Sequence, residues 1–348
     1  MARRRLLAIV AMGAGLCGLA GCGKSSGDAV CRDGEATETG LRVTAGTDEY
    51  FYAVDGGGRQ VGYQRAGQVL ALPPGDYRVK INNSQRGVTV RAGRVTTCTA
   101  GDVRVTGGTD AYFYILDTLG TQLSYQRIGG LLSVLPGRYL VKVNNSRSGF
   151  EVHGGDTVTL PAGTVSVAGT TDEYYYVLDT LGTQLAYERL GRLLDVFPGG
   201  YVLKLNNATA RTAVSASDTM MLRSGTLSAL GTTDEYYYVL DTAGTQLGYA
   251  RLGSATSYLP GRYRVKVNNA DTLVAVPADS STRVATGTVV VHGAGTEYYY
   301  VNDATGRQLS YSRLGAPLAL LPGSYSVKLG QRMTTVSVAA GATVIARP

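Results

Sequence analysis

Apolar and polar residues alternate with a period of two in short runs along this chain, and no stretch shows the 3.6-residue period of an amphipathic helix. Tyr201–Leu205 is typical, with Tyr201, Leu203 and Leu205 on one side and Val202 and Lys204 on the other. Val165–Val167, Tyr174–Leu178, Thr183–Leu190, Leu193–Val196, Thr212–Val214 and Thr219–Leu222 carry the same strand signal, separated by turn residues. Between two of these runs, Asp179-Thr180-Leu181-Gly182 suits a type I turn with a G1 bulge, Gly182 supplying the positive φ. If Asp179 and Thr183 flank that hairpin, Val177 faces Leu185 and Tyr175 faces Tyr187, and these four form the expected core. Tyr174 and Tyr176 then point the other way, beside Gln184, Ala186 and Glu188.

The pattern recurs five times with a period of 62 residues. A Pro-Gly pair marks each copy at Pro74, Pro136, Pro198, Pro260 and Pro322, and a tyrosine follows two residues after each glycine: Tyr77, Tyr139, Tyr201, Tyr263 and Tyr325. Between Gly169–Gly191 and Gly231–Gly253, 20 of 23 residues are identical. The copies run over 41–102, 103–164, 165–226, 227–288 and 289–348. Six or seven short strands in each predict an all-β chain of five tandem antiparallel β-sandwich modules. A five-bladed β-propeller is the alternative, disfavoured because a blade ordinarily has four strands. At this size each module lies near the lower limit for an independent core, so packing between neighbours is expected to supply part of the stability.

The segment Leu135-Pro136-Gly137-Arg138-Tyr139-Leu140-Val141-Lys142-Val143, followed by a small-residue turn and an alternating strand, resembles the PEGA and carboxypeptidase-regulatory-like β-sandwich modules. Asp117-Thr118-Leu119-Gly120-Thr121-Gln122 stands where PEGA carries its naming motif. The resemblance implies a binding or structural role and names no ligand.

The amino-terminal segment reads as an export signal over residues 1–21. Arg3, Arg4 and Arg5 form a basic start, Leu6 to Ala20 is apolar, and this run is shorter than the ~20 residues a membrane-spanning helix needs. Leu19-Ala20-Gly21-Cys22 resembles the bacterial lipobox, which implies lipidation at Cys22 and a lipidated tether over 22–40. Gly23, rather than aspartate, follows the cysteine and favours the outer membrane or cell surface over the inner membrane. Removing the signal leaves 30 Lys+Arg against 26 Asp+Glu, so the formal charge falls from +7 to +4. No basic run interleaved with aromatics appears, and nucleic acid is not an expected partner. With Cys17 lost and Cys22 lipidated, Cys31 and Cys98 remain, and an oxidising location predicts a disulfide between them.

Candidate catalytic chemistry is sparse along the chain. His153 and His292 fall at non-equivalent repeat positions, and no nucleophile elbow, P-loop or metal-binding motif is present. No enzyme activity, cofactor or metal is expected. Asp55, Asp117, Asp179, Asp241 and Asp303 open hairpins and are expected to cap them. Arg65, Arg127, Arg189, Arg251 and Arg313 are expected to stack on a ring or pair with Asp. Lys80, Lys142, Lys204, Lys266 and Lys328 are read as keeping a sheet edge soluble. Asn82-Asn83 and its three counterparts read as turns, replaced by Gly330-Gln331 in the fifth copy.

A pair of tyrosines recurs unchanged in every copy: Tyr50 and Tyr52, Tyr112 and Tyr114, Tyr174 and Tyr176, Tyr236 and Tyr238, Tyr298 and Tyr300. These ten form the candidate binding stripe, with sheet stabilisation as the competing role. The residue between each pair accepts phenylalanine (Phe51, Phe113), as a buried ring would. The expectation is a non-catalytic, lipid-anchored spacer, scaffold or adhesive protein of the cell envelope and an elongated monomer. The alternative is a carbohydrate or cell-wall binding protein that uses the tyrosines. Its partners would be the membrane through the lipid, and an envelope protein or polysaccharide.

Overall fold

The structure, a computed structural model, describes residues 30–34, 38–293 and 297–348. The expected signal, Cys22 and most of the tether lie outside these residues. No helix among the described residues is long and apolar enough to cross a membrane.

The third copy serves as the type. Its strands are β1 (Gly163–Ala168), β2 (Tyr174–Leu178), β3 (Gln184–Arg189), β4 (Leu194–Val196), β5 (Gly199–Leu205), β6 (Ala208–Val214) and β7 (Thr219–Arg223). Four of them form one sheet in the order β3-β2-β5-β6, and three form another in the order β4-β1-β7. The same two sheets recur in every copy, so the labels are used for all five. Val165 and Val167 from one sheet meet Tyr175, Val177, Leu203 and Leu205 from the other in a single core. Each copy thus closes its own sandwich, and no propeller forms. One pairing departs from the antiparallel expectation: β1 and β7 run parallel, Thr164 opposite Thr219 and Ala168 opposite Arg223. The direction follows from the repeat, since β7 must leave at the end opposite the one where β1 enters.

The β2–β3 hairpin forms as the turn residues require. Asp179 N–H donates to the Thr183 carbonyl, Gly182 N–H donates to the Asp179 carbonyl, and Gly182 sits at φ +91°. The bulge at Val177/Leu178 shifts the register, however. Val177 pairs with Ala186, Tyr176 with Tyr187 and Tyr175 with Glu188. Tyr187 is therefore an outward-facing residue and Leu185 is half-buried, whereas Tyr175 and Val177 are core as expected. The β5–β6 hairpin is a two-residue turn whose asparagines both lie in the left-handed region, Asn206 at φ 46° and Asn207 at φ 60°. That conformation marks a type I′ turn, and asparagine tolerates it better than most residues.

Consecutive copies are joined by one residue. Ala100, Ala162, Ser224 and Thr286 each lie between β7 of one copy and β1 of the next, and all four are buried. The glycine that follows is fixed by close approach within its own copy: a Cβ on Gly163 would lie 2.1 Å from the Ser215 carbonyl oxygen of the turn between β6 and β7. Gly101, Gly225 and Gly287 meet His153, Pro277 and Ala339 carbonyls in the same way.

The first copy carries an extra strand, Cys31–Asp33, antiparallel to its β7 (Val95–Thr99). Cys31 and Cys98 face each other there and form the expected disulfide.

Candidate functional site: the tyrosine face and the joints

The outer face of each four-stranded sheet is aromatic. In the third copy the Tyr187 ring lies between the two stripe tyrosines, 5.7 Å edge-on from Tyr174 and 5.9 Å tilted from Tyr176. Equivalent triads form around Tyr63, Tyr125, Tyr249 and Tyr311. The ten stripe tyrosines are only partly exposed, Tyr174 at 38%, because neighbouring rings and cations cover them. Tyr187 is 58% exposed and is the most accessible ring of its triad. The expected core position of this third tyrosine follows from a hairpin without the extra residue of the bulge, which the chain contains. The signal that could have found it is that Tyr63, Tyr125, Tyr187, Tyr249 and Tyr311 never become phenylalanine, unlike the buried position.

Cations frame the triad. The Arg189 guanidinium sits 5.1 Å from the Tyr174 ring centre and pairs with Asp172, whose hydrogen bond and then charge hold the guanidinium protonated beyond its ordinary range. Arg65, Arg127 and Arg251 pair with Asp48, Asp110 and Asp234 in the same manner. Arg313 stacks on Tyr298 and donates to its hydroxyl. Both roles expected of these arginines are therefore present. Lys204 lies 5.0 Å from the Tyr176 ring, and Lys142 and Lys266 repeat the contact. These lysines stand on β5, an interior strand, so they do not guard an edge as expected. They cover a ring with a cation instead. Open clefts of 820 and 580 Å³ lie beside this face in the first and fourth copies, each lined by two stripe tyrosines, the lysine and the asparagine turn.

The hairpin aspartates are caps. Asp179 Oδ1 accepts the Leu181 and Thr183 N–H groups, and the Thr183 bond is the main reason its carboxyl lies below the usual carboxylate range. Asp303, held chiefly by the Thr305 hydroxyl, falls to about 2. Among the described residues no group of three or more His, Cys, Asp or Glu is placed to hold a metal ion. His153 and His292 are both exposed.

The asparagine turns do more than turn. Asn206 Nδ2 donates to the Ser257 carbonyl (2.9 Å) and Asn207 Nδ2 to the Leu247 carbonyl (2.9 Å), both in the next copy. Asn82 and Asn83, Asn144 and Asn145, and Asn268 and Asn269 make the equivalent pair of bonds. The fifth copy, which no further copy follows in this sequence, has Gly330-Gln331 there. An apolar residue also crosses each joint. Leu135, Phe197, Leu259 and Leu321, each just before a Pro-Gly pair, enter the core of the preceding sandwich. The first copy has Pro73 at this position, exposed.

Every joint also holds a carboxylate: a glutamate of the preceding copy at the first, third and fourth, and an aspartate of the following copy at the second. At the first, Asp102 of the following copy adds another, accepting the Gly46 N–H and the Ser133 hydroxyl. Glu173 accepts Asn206 Nδ2 (2.5 Å) from its own copy and the Ser257 N–H (2.7 Å) from the next, and Glu235 binds Asn268 and the Ala319 N–H alike. Glu49 takes this place at the first joint, where burial raises its pKa despite bonds from Thr47 and Asn82. The second copy has Ala111 at the position of these glutamates. There the carboxylate comes from the other side: Asp195 of the third copy, fully buried, accepts the Gly108 (2.8 Å) and Thr109 (3.0 Å) N–H groups. Position 195 is serine or alanine in the copies that face a glutamate, as at Ser133, Ser257 and Ala319.

No protein-family profile matches the chain, and no curated protein matches it. Among solved structures it is similar to the Bacillus anthracis TIE protein, with 10% identity and a TM-score of 0.19 over 93% of this chain and 75% of that one. It is also similar to a major pilin subunit of Bacillus cereus, with 12% identity and a TM-score of 0.15 over 71% of this chain and 99% of that one.

Proposed function

We propose that this chain is a non-catalytic scaffold displayed on the cell envelope, in which five PEGA-like sandwiches hold a lipid anchor at Cys22 apart from whatever the distal copies meet. The observation that carries the reading is the construction of the joints. A single buried linking residue, a borrowed apolar side chain and two asparagine bonds leave little freedom between copies. A chain built only to string independent binding modules would have polar, flexible linkers instead. Outer-membrane or cell-surface placement belongs to the same proposal. It is tested by labelling the expressed protein with palmitate and by asking whether added protease reaches it on intact cells. Label and membrane retention that vanish in Cys22→Ala support the reading; a soluble, unlabelled wild-type protein contradicts it.

A second reading, a platform for envelope polysaccharide, is favoured by the 58–61% exposure of Tyr125, Tyr187, Tyr249 and Tyr311. Rigid rings with hydroxyl edges stack on sugar faces, and five copies would add avidity. Retention of the full chain on peptidoglycan that is lost when Tyr125, Tyr187 and Tyr249 become alanine would support it. Equal retention of both proteins would dismiss it.

A further inference from the structure

The path of the backbone through each sandwich fixes how the chain meets a pull along its length. In the third copy the chain enters at Gly163, the start of β1, and leaves at Arg223, the end of β7. These strands are adjacent and parallel, with five residue pairs in register from Thr164↔Thr219 to Ala168↔Arg223. Entry and exit therefore lie at opposite ends of one ladder. Tension between them runs along the strands and strains all the ladder's hydrogen bonds together. Had the two points lain at the same end, the ladder would open one bond at a time. The second and fourth copies repeat this arrangement with five pairs each, and the fifth with four. Since one buried residue links each β7 to the next β1, tension passes from ladder to ladder without slack.

The first copy has the same parallel ladder, Gly40↔Val95 to Thr44↔Thr99, but the chain reaches it differently. Cys31 precedes β1, and its sulfur is bonded to Cys98, the penultimate residue of β7. A pull arriving before Cys31 crosses the disulfide to Cys98 and continues through Thr99 and Ala100 into the second copy. Residues 32–97, which hold almost the entire first sandwich, lie outside that path.

We infer that the chain is a tension-resisting tether in which four sandwiches share the load in shear and the disulfide exempts the first. The first sandwich then acts as a base of fixed length at the anchored end, while the other four can yield one after another. The biological setting rests on the surface-scaffold reading, but the mechanical behaviour does not. An unanchored protein whose disulfide has formed would show it equally, so the two ideas fail separately.

The test is single-molecule extension of the full chain between peptide-tag handles fused at its two ends. With the disulfide intact, four discrete unfolding events are expected, each lengthening the chain by on the order of 200 Å for a 62-residue copy. Reduction with a dithiol, or Cys31→Ser, should add a fifth event of similar size and raise the released length about 1.25-fold. The two treatments act on the same bond by different means, so agreement between them excludes damage by either. Five events with the disulfide intact, the same count under both conditions, or smooth extension without discrete events would each overturn the inference.

Discussion

The Asn82 side chain donates to the Ser133 carbonyl across 2.9 Å and so binds the β-turn of one sandwich to the fourth strand of the next. The same turn is written Asn-Asn wherever a copy follows and Gly-Gln where none does in this sequence. Both asparagines sit at positive φ, so a glycine there keeps the turn and removes only the side-chain bonds. Asn206→Gly with Asn207→Gly is therefore expected to weaken the joint between the third and fourth copies. Two hydrogen bonds, one of them also tied to Glu173, suggest a loss of about 1–3 kcal/mol. Urea unfolding should change from one transition toward two, with the fold of each half retained.

The exchange of carboxylates at the joints predicts a rescue. Asp195→Ser strands the Gly108 and Thr109 donors and should destabilise the chain by about 1–3 kcal/mol. Ala111→Glu supplies the carboxylate from the side used at the other joints. A double-mutant cycle by chemical denaturation should show the second change recovering most of the loss from the first. Simple additivity would mean that the two positions do not share one role.

Gly163 is held by contact and not by backbone conformation. Gly163→Ala places its Cβ 2.1 Å from the Ser215 oxygen and 2.6 Å from Val214 Cγ1. Overpacking against backbone should cost about 1–3 kcal/mol and lower the thermal midpoint. Gly182→Ala offers a contrast, because open space surrounds it and its cost comes from the positive φ alone.

Acid should loosen the hairpins. The Asp303 carboxyl lies near 2 in the folded chain against 3.8 unperturbed, chiefly through the Thr305 hydroxyl. A lowered folded pKa gives stability that is present above the unfolded value and lost as pH falls through the folded one. Asp55, Asp179 and Asp241 shift in the same direction through backbone N–H groups. Thermal midpoints should therefore fall between about pH 4 and pH 2, and Asp303→Asn should reduce that dependence. Glu49 works oppositely: its raised pKa gives stability present below its ordinary value and lost as pH rises through the folded one.

Much of this architecture is legible in the sequence, because the cues are local. Period-two runs place the strands, Asp179 and Gly182 place a turn, and the spacing of Pro-Gly pairs sets the repeat. What escaped is set by single-residue offsets or by contacts between copies. The bulge beside Leu178 moved Tyr187 from the expected core to the outer face, since one extra residue inverts every later side chain. The parallel β1–β7 pair is invisible in any one copy, because pairing of distant strands leaves no local signature. Phe197 reads as an ordinary apolar residue before a Pro-Gly turn until the preceding core is seen to receive it. The hint lay in the terminal copies, which replace it with Pro73 and replace the asparagine turn with Gly330-Gln331.

Small-angle scattering of the full-length chain tests the central claim, that the joints hold five sandwiches in a continuous line. Seven strand residues separate the start of one β1 from the next along the shared ladder, so a straight course advances about 23 Å per copy. Five copies would span roughly 115 Å, which corresponds to a radius of gyration of about 35 Å. A compact globule of this length would have a radius near 20 Å. A value close to the larger figure, lowered or broadened by Asn206→Gly with Asn207→Gly, is the predicted result. A wild-type value near the smaller one would contradict the account.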